Sequence, residues 1–106
     1  MQGSYKHRRS RRVACDIYLN KVQDGHTHIA RAVNISLGGI KLQRLLEPVV
    51  NMPSRIRLQL ALPGTDEPMW LGAKPVYEDE ECVGLSFTHM SHHNFVTLRN
   101  WLAGHA

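Results

Sequence analysis

Between Val13 and Phe87 the chain alternates apolar and polar residues with a period of two in six short segments, and no helical period interrupts them. A backbone patterned in this way folds as half-buried strands, because successive side chains point to opposite faces. Val13, Cys15, Ile17 and Leu19 make one face of the first segment, with Ala14, Asp16, Tyr18 and Asn20 on the other. Asp24-Gly25 supplies hairpin turn chemistry. The returning strand, residues 27–36, puts Ile29, Val33 and Ile35 on the apolar parity and Ala30, Ala32, Asn34 and Ser36 on the opposite one. Arg31 breaks the apolar set, which predicts fraying or a bulge there.

After Gly38-Gly39 a shorter strand offers Ile40 and Leu42 inward and Lys41 outward. The stretch from Leu46 to Ser54, with Pro48 and Pro53, reads as a loop. Ile56, Leu58, Leu60 and Leu62 then alternate with Arg55, Arg57, Gln59 and Ala61, the cleanest strand pattern in the chain. Residues 63–68 form a turn, and Met69 to Glu78 follows as a strand that Pro75 marks as an edge or a bulge. The acidic turn Glu78 to Glu81 leads into Val83, Leu85 and Phe87. Only the last segment changes period: Phe95, Leu98 and Leu102 fall at i, i+3 and i+7, with Ser91 as N-cap and Gly104 just past the end.

The expected fold is all-β with one C-terminal helix, a six-stranded antiparallel β-barrel, since closure removes the exposed edges of so many short strands. At 106 residues it is one domain, which excludes an active site between two lobes. We divide the chain into a flexible arginine-rich arm over residues 1–12 and a barrel with its helix over residues 13–106.

The charge supports that division. Of the 13 lysines and arginines, Lys6, Arg8, Arg9, Arg11 and Arg12 lie in the arm, which holds no acid. The remaining 94 residues carry eight basic and nine acidic groups, so the net charge of +4 belongs to the arm. A basic arm on a near-neutral body is a local anion-binding signal, or else a solvated tail; a nucleic-acid domain more often spreads its charge over a face.

Cys15 and Cys82 have neither the number of a disulfide scaffold nor the spacing of a zinc site. No apolar run approaches the ~20 residues needed to cross a bilayer, and the start of the sequence carries no signal-peptide core. A reduced cytoplasmic protein without membrane insertion is expected.

If the first two strands form a hairpin, their far ends meet. The arm's arginines then sit over Asn34-Ile35-Ser36-Leu37-Gly38-Gly39. Asn34 and Ser36 share the outward parity, joined by Lys41, while Gly38 and Gly39 permit positive φ and leave backbone N–H groups approachable. The alternative is a tight turn in which Asn34 and Ser36 satisfy local backbone groups. Arginine's planar fork suits phosphate and the O6/N7 edge of guanine. Arg8 and Arg12 are four apart, up to ~13 Å in an extended segment, enough to hold two parts of one nucleotide-sized ligand. Arm and corner together make a clamp for a compact anionic purine compound.

These residues carry a resemblance. Arg8-xxx-Arg12 followed by Asn34-x-Ser36-xx-Gly39 resembles the paired RxxxR and (D/N)xSxxG motifs of the PilZ domain, a bacterial receptor for cyclic di-GMP. Gly84-Leu85-Ser86-Phe87 and the closing helix are similar to that family as well, so the likeness covers nearly the whole chain. It implies that Arg8 and Arg12 bind guanine and phosphate, that Asn34, Ser36 and Gly39 line the barrel face beneath the ligand, and that Arg9 and Lys41 add contacts. Asn34 stands where Asp is commoner, and His7 occupies the position that influences whether one ligand or an intercalated pair is bound. No cofactor is implied beyond the ligand, and the expected partners are cyclic di-GMP and a downstream protein, with no nucleic acid.

Other candidates are weaker. His26 and His28 share a strand face and His89, His92 and His93 cluster near the helix start, but none has ligand-motif spacing. Trp70 and Tyr77 are candidates for stacking on a base or for packing, and Trp101 for helix-to-barrel packing. Cys15 falls on the core parity. No catalytic constellation offers itself, so the expected function is a second-messenger receptor and not an enzyme. The alternatives are a basic-armed barrel that binds nucleic acid and a PilZ-like adaptor that binds only protein.

Overall fold

The computed structural model describes residues 11–45 and 55–105. Its strands are β1 (Val13–Gln23), β2 (His26–Ile35), β3 (Gly39–Arg44), β4 (Ile56–Leu60), β5 (Met69–Glu78) and β6 (Cys82–His89), followed by helix α1 (His92–His105). All neighbouring strands are antiparallel, and the order β1-β2-β3-β6-β5-β4 closes on itself. The closing seam pairs Asn20, Lys21 and Val22 of β1 with Gln59, Leu58 and Arg57 of β4. The six-stranded antiparallel barrel with one C-terminal helix is therefore the fold.

Local chemistry explains the elements. Asp24 and Gly25 both adopt positive φ, 51° and 77°, the requirement of the two-residue turn whose twist matches the flanking strands. Ile56, Leu58, Leu60 and Leu62 are all buried and share one core with Leu71 of β5 and Val83 and Leu85 of β6. Ser91 Oγ accepts the Asn94 N–H at 3.1 Å, capping α1. Leu98 and Leu102 bury against the barrel, and Trp101 Nε1 donates to the Pro63 carbonyl at 3.1 Å, so the tryptophan fastens the helix to the turn before β5. Pro75 sits at a register shift between β5 and β6, as a residue without an N–H requires.

The structure corrects four expectations. In the first part of β2 the buried residues are Ala30 and Ala32, while Ile29 is 57% exposed. Small side chains fit an interior already filled by leucine and isoleucine from the other strands. Arg31 stays in register with Tyr18 and Gln43, and the extra residue on β2 against β3 is Val33. That bulge resets the parity, so Ile35 turns inward after Ala32. Lastly, Gly104 lies within α1 instead of past its end, and Phe95 is on the solvent side of the helix.

Candidate functional site

The site grows from the hairpin register. Val13 pairs with Ile35 and Ala14 with Asn34, so the chain entering β1 runs beside the chain leaving β2. Arg12 Nη1 donates to Asn34 Oδ1 at 2.7 Å, joining the two segments directly. Arg8 and Arg9, and the expected arm up to residue 10, lie outside the described residues; Arg11 and Arg12 are described and exposed.

The corner between β2 and β3 is built around Ser36. Its N–H donates to the Gly39 carbonyl at 2.8 Å, and its Oγ accepts the N–H groups of Gly38 at 3.2 Å and Gly39 at 3.1 Å. Ser36 is only 2% exposed, so the expected outward orientation is corrected: the hydroxyl is spent on the turn. The same bonds occupy the Gly38 and Gly39 N–H groups that were expected to face a ligand. Neither glycine takes a positive φ. Gly39 is required by close approach, since a Cβ there would come within 3.0 Å of the Leu85 carbonyl oxygen on β6. Phe87 N–H donates to the Gly38 carbonyl at 2.9 Å, so β6 holds the corner from the other side.

From Asn34 the pairing continues around the barrel. Asn34 faces Lys41, Lys41 faces Gly84, and Gly84 faces Tyr77. Ile40 and Leu42 are fully buried, which puts the Lys41 side chain outside as expected. Along the same outer face Arg31 Nε donates to Asp16 Oδ1 at 2.6 Å and Arg31 Nη1 to Gln43 Oε1 at 2.8 Å, tying β1, β2 and β3 together. The Asp16 hydrogen bond raises the Arg31 pKa above its ordinary value, with the Asp16 charge adding to it.

Trp70 is elsewhere. It pairs with Gln59 at the start of β5, beneath the Arg57 guanidinium at 4.4 Å, while Tyr77 near the end of the same strand borders the corner row. The structure thus brings Arg12, Asn34, Ser36, Gly38, Gly39 and Lys41 together and leaves Trp70 out. Cys15 is half-buried; burial, then the Asp16 charge, raises its thiol pKa, and Sγ contacts the Ala32 carbonyl at 3.5 Å. Among the described residues no three His, Cys, Asp or Glu side chains converge on a metal position, and no helix is long and apolar enough to cross a membrane.

Solved structures share this architecture. The PilZ domain of CeSA from a cellulose-synthesizing bacterium superposes with a TM-score of 0.70 at 14% identity, covering 90% of this chain and 97% of that one. The Bacillus subtilis inhibitor of motility, MotI/DgrA, gives 0.70 at 15% identity; 90% of this chain matches, but only 49% of that protein. The PilZ domain of Escherichia coli YcgR, solved with c-di-GMP, gives 0.68 at 16% identity over 92% of this chain and 89% of that one. At these identities the likeness concerns the fold. No curated protein matches in sequence. The family model of the PilZ domain matches residues 6–104, from within the basic segment to the last turn of α1. The corner, the arginine beside it and the barrel that carries both therefore have one common source: the chain belongs to the PilZ domain family.

Proposed function

We propose that this protein is a cyclic di-GMP receptor without catalytic activity, binding its ligand between the arginine segment and the outer face of the β2–β3 corner. The observation that carries this reading is the Arg12–Asn34 hydrogen bond, because it joins a residue of the RxxxR motif to one of the NxSxxG motif. Arg8, Arg9 and Arg12 supply bidentate donors to guanine and phosphate, Asn34 and Lys41 supply side chains, and Ser36, Gly38 and Gly39 supply the shape of the floor. YcgR was solved with c-di-GMP on the same fold, which supports the ligand class.

The ligand draws the arginine segment across this face. Each backbone residue it fixes costs roughly 1 to 2 kcal/mol, and charge-assisted bonds to two phosphates and two guanines offset that cost. The reshaped surface is what a downstream protein reads. Titration calorimetry with cyclic di-GMP tests the reading: saturable binding that Arg12→Ala abolishes or strongly weakens is expected. Absence of binding, or binding untouched by that change, overturns it. An oligonucleotide bound in its place, with affinity falling steeply with salt, would indicate a nucleic-acid protein instead.

A further inference from the structure

Ile29, Asn20, Gln59 and Trp70 form a paired row across the outside of β2, β1, β4 and β5. Tyr18, the next outward residue along β1, is 62% exposed, and Trp70 is 42% exposed. Tyr18, Ile29, Ala61 and Pro68, with the side chains of Asn20 and Gln59, line an open groove of about 310 Å³. Single exposed apolar residues are ordinary on a protein surface, whereas a contiguous group around a concavity marks a place of contact. The groove is distinct from the β2–β3 corner. Arg31, which pairs with Tyr18 and is bonded to Asp16 and Gln43, stands between them on β2.

Two kinds of polar group border the apolar lining. Asn20 Nδ2 donates to Gln59 Oε1 at 2.9 Å, which leaves Asn20 Oδ1 as an acceptor and the Gln59 Nε2 group as a donor, side by side. One peptide unit answers that pair with its own N–H and C=O. On the far side of Gln59 the Arg57 guanidinium lies 4.4 Å from the centre of the Trp70 ring, and among the described residues it enters no ion pair. The stack fixes the plane of the fork and leaves its N–H edge for a carboxylate. Asn94 Nδ2 donates to the Trp70 carbonyl at 3.2 Å, and Arg99 lies 5.8 Å over the ring of Phe95, the next residue, so α1 adds a second cation on this side. The other side has the opposite sign, since Asp66 and Glu67 precede Pro68. A nucleic-acid strand, negative along its whole length, is repelled there. A peptide with a carboxylate on one side of an apolar residue meets no such conflict.

We propose that this groove docks an extended segment of a partner protein in which a bulky apolar residue is flanked on one side by aspartate or glutamate. The apolar side chain fills the groove between Tyr18 and Ile29, the Asn20–Gln59 amides bond the partner's backbone, and Arg57 on Trp70 takes the carboxylate. The site goes beyond the cyclic di-GMP reading, because it uses none of the corner residues and stands whether or not the nucleotide binds.

The experiment selects a display library of random dodecapeptides on the immobilised full chain, then measures the best peptide by fluorescence anisotropy against the parent, Ile29→Ser, Arg57→Glu and Arg12→Ala. Thermal melts confirm the fold of each, and Tyr18→Ser replaces Ile29→Ser if that variant does not fold. The retained peptides are expected to share a large apolar residue beside an acid. Ile29→Ser and Arg57→Glu should each weaken binding roughly 5- to 30-fold, with Arg12→Ala unchanged. No enrichment, enrichment of basic peptides, or binding that Ile29→Ser and Arg57→Glu leave intact overturns the proposal. So does self-association of the chain that Ile29→Ser abolishes, or a single-stranded oligonucleotide that competes for the groove. Titration of the parent and Ile29→Ser with cyclic di-GMP keeps the two readings apart: a parent that takes the peptide but not the nucleotide overturns the receptor reading alone.

Discussion

The guanidinium of Arg12 and the side-chain oxygen of Asn34, 22 residues apart in the sequence, are 2.7 Å apart on the barrel surface. The pair is exposed, so its contribution to folding is small, about 0 to 1 kcal/mol. Its contribution to binding is different, because a ligand phosphate or guanine makes charge-assisted bonds worth roughly 1.5 to 3 kcal/mol each. Arg12→Ala is therefore expected to leave the urea midpoint nearly unchanged while cutting ligand affinity by about tenfold or more. A double-mutant cycle with Asn34→Ala should show coupling in binding and almost none in stability.

Ser36 reverses that pattern. Its Oγ accepts the N–H groups of the exposed Gly38 and the buried Gly39, and Ser36 itself is buried. Ser36→Ala leaves both donors without that acceptor; water can meet the exposed Gly38 N–H, whereas the buried Gly39 N–H is left unsatisfied at about 1 to 3 kcal/mol. The melting temperature should fall by roughly 10 °C, since 1 kcal/mol shifts a domain of this size by about 4 to 8 °C. Differential scanning calorimetry checks this, and an unchanged melting temperature would show that the turn finds other acceptors.

The strands of the barrel were legible because their alternation is strict where one face is clearly more apolar, as in Ile56, Leu58, Leu60 and Leu62. On β2 both faces carry apolar residues, and hydrophobicity ranks Ile29 above Ala30 although the barrel interior has room only for the alanine. The bulge at Val33 depends on how β3 pairs, which no local pattern encodes. Lys21 continues the inward parity of Ile17 and Leu19 and is fully buried, a position that charge alone would have placed outside. The motif residues marked the corner, but whether Trp70 or Tyr77 borders it follows from the register of β5 on β6, the seam that Pro75 shifts.

Two glycines on this face differ in what surrounds them. At Gly39 an added Cβ meets the backbone carbonyl of Leu85, which is fixed by the β3–β6 ladder. At Gly84 it meets the Tyr77 ring, which can swing away about its side-chain torsions. Gly39→Ala should therefore cost about 1 to 3 kcal/mol or more by prising the barrel seam apart. Gly84→Ala should cost less, and combining it with Tyr77→Ala should be no more destabilising than Tyr77→Ala alone, a non-additivity that urea denaturation of the three variants would reveal.

The turn that follows Tyr77 gives the barrel a pH-dependent element. Asp79 Oδ1 accepts the Cys82 N–H at 2.7 Å and the Glu81 N–H at 2.9 Å, and these bonds hold its carboxyl below the ordinary value of 3.8, with Lys41 and Arg44 adding a smaller attraction. Because the folded pKa is depressed, the unfolded chain takes up the proton first as the pH falls. The stabilisation is present in full above the unfolded value, starts to fade as the pH approaches 3.8 and is lost as it drops through the lower folded pKa. Asp79→Asn retains an acceptor oxygen but removes the charge. At pH 6 to 7 it should be less stable than the parent, and the urea midpoints of the two chains should converge as the pH is lowered below about 4. Parallel curves down to pH 2 would mean that the carboxylate charge contributes nothing to holding the β5–β6 turn.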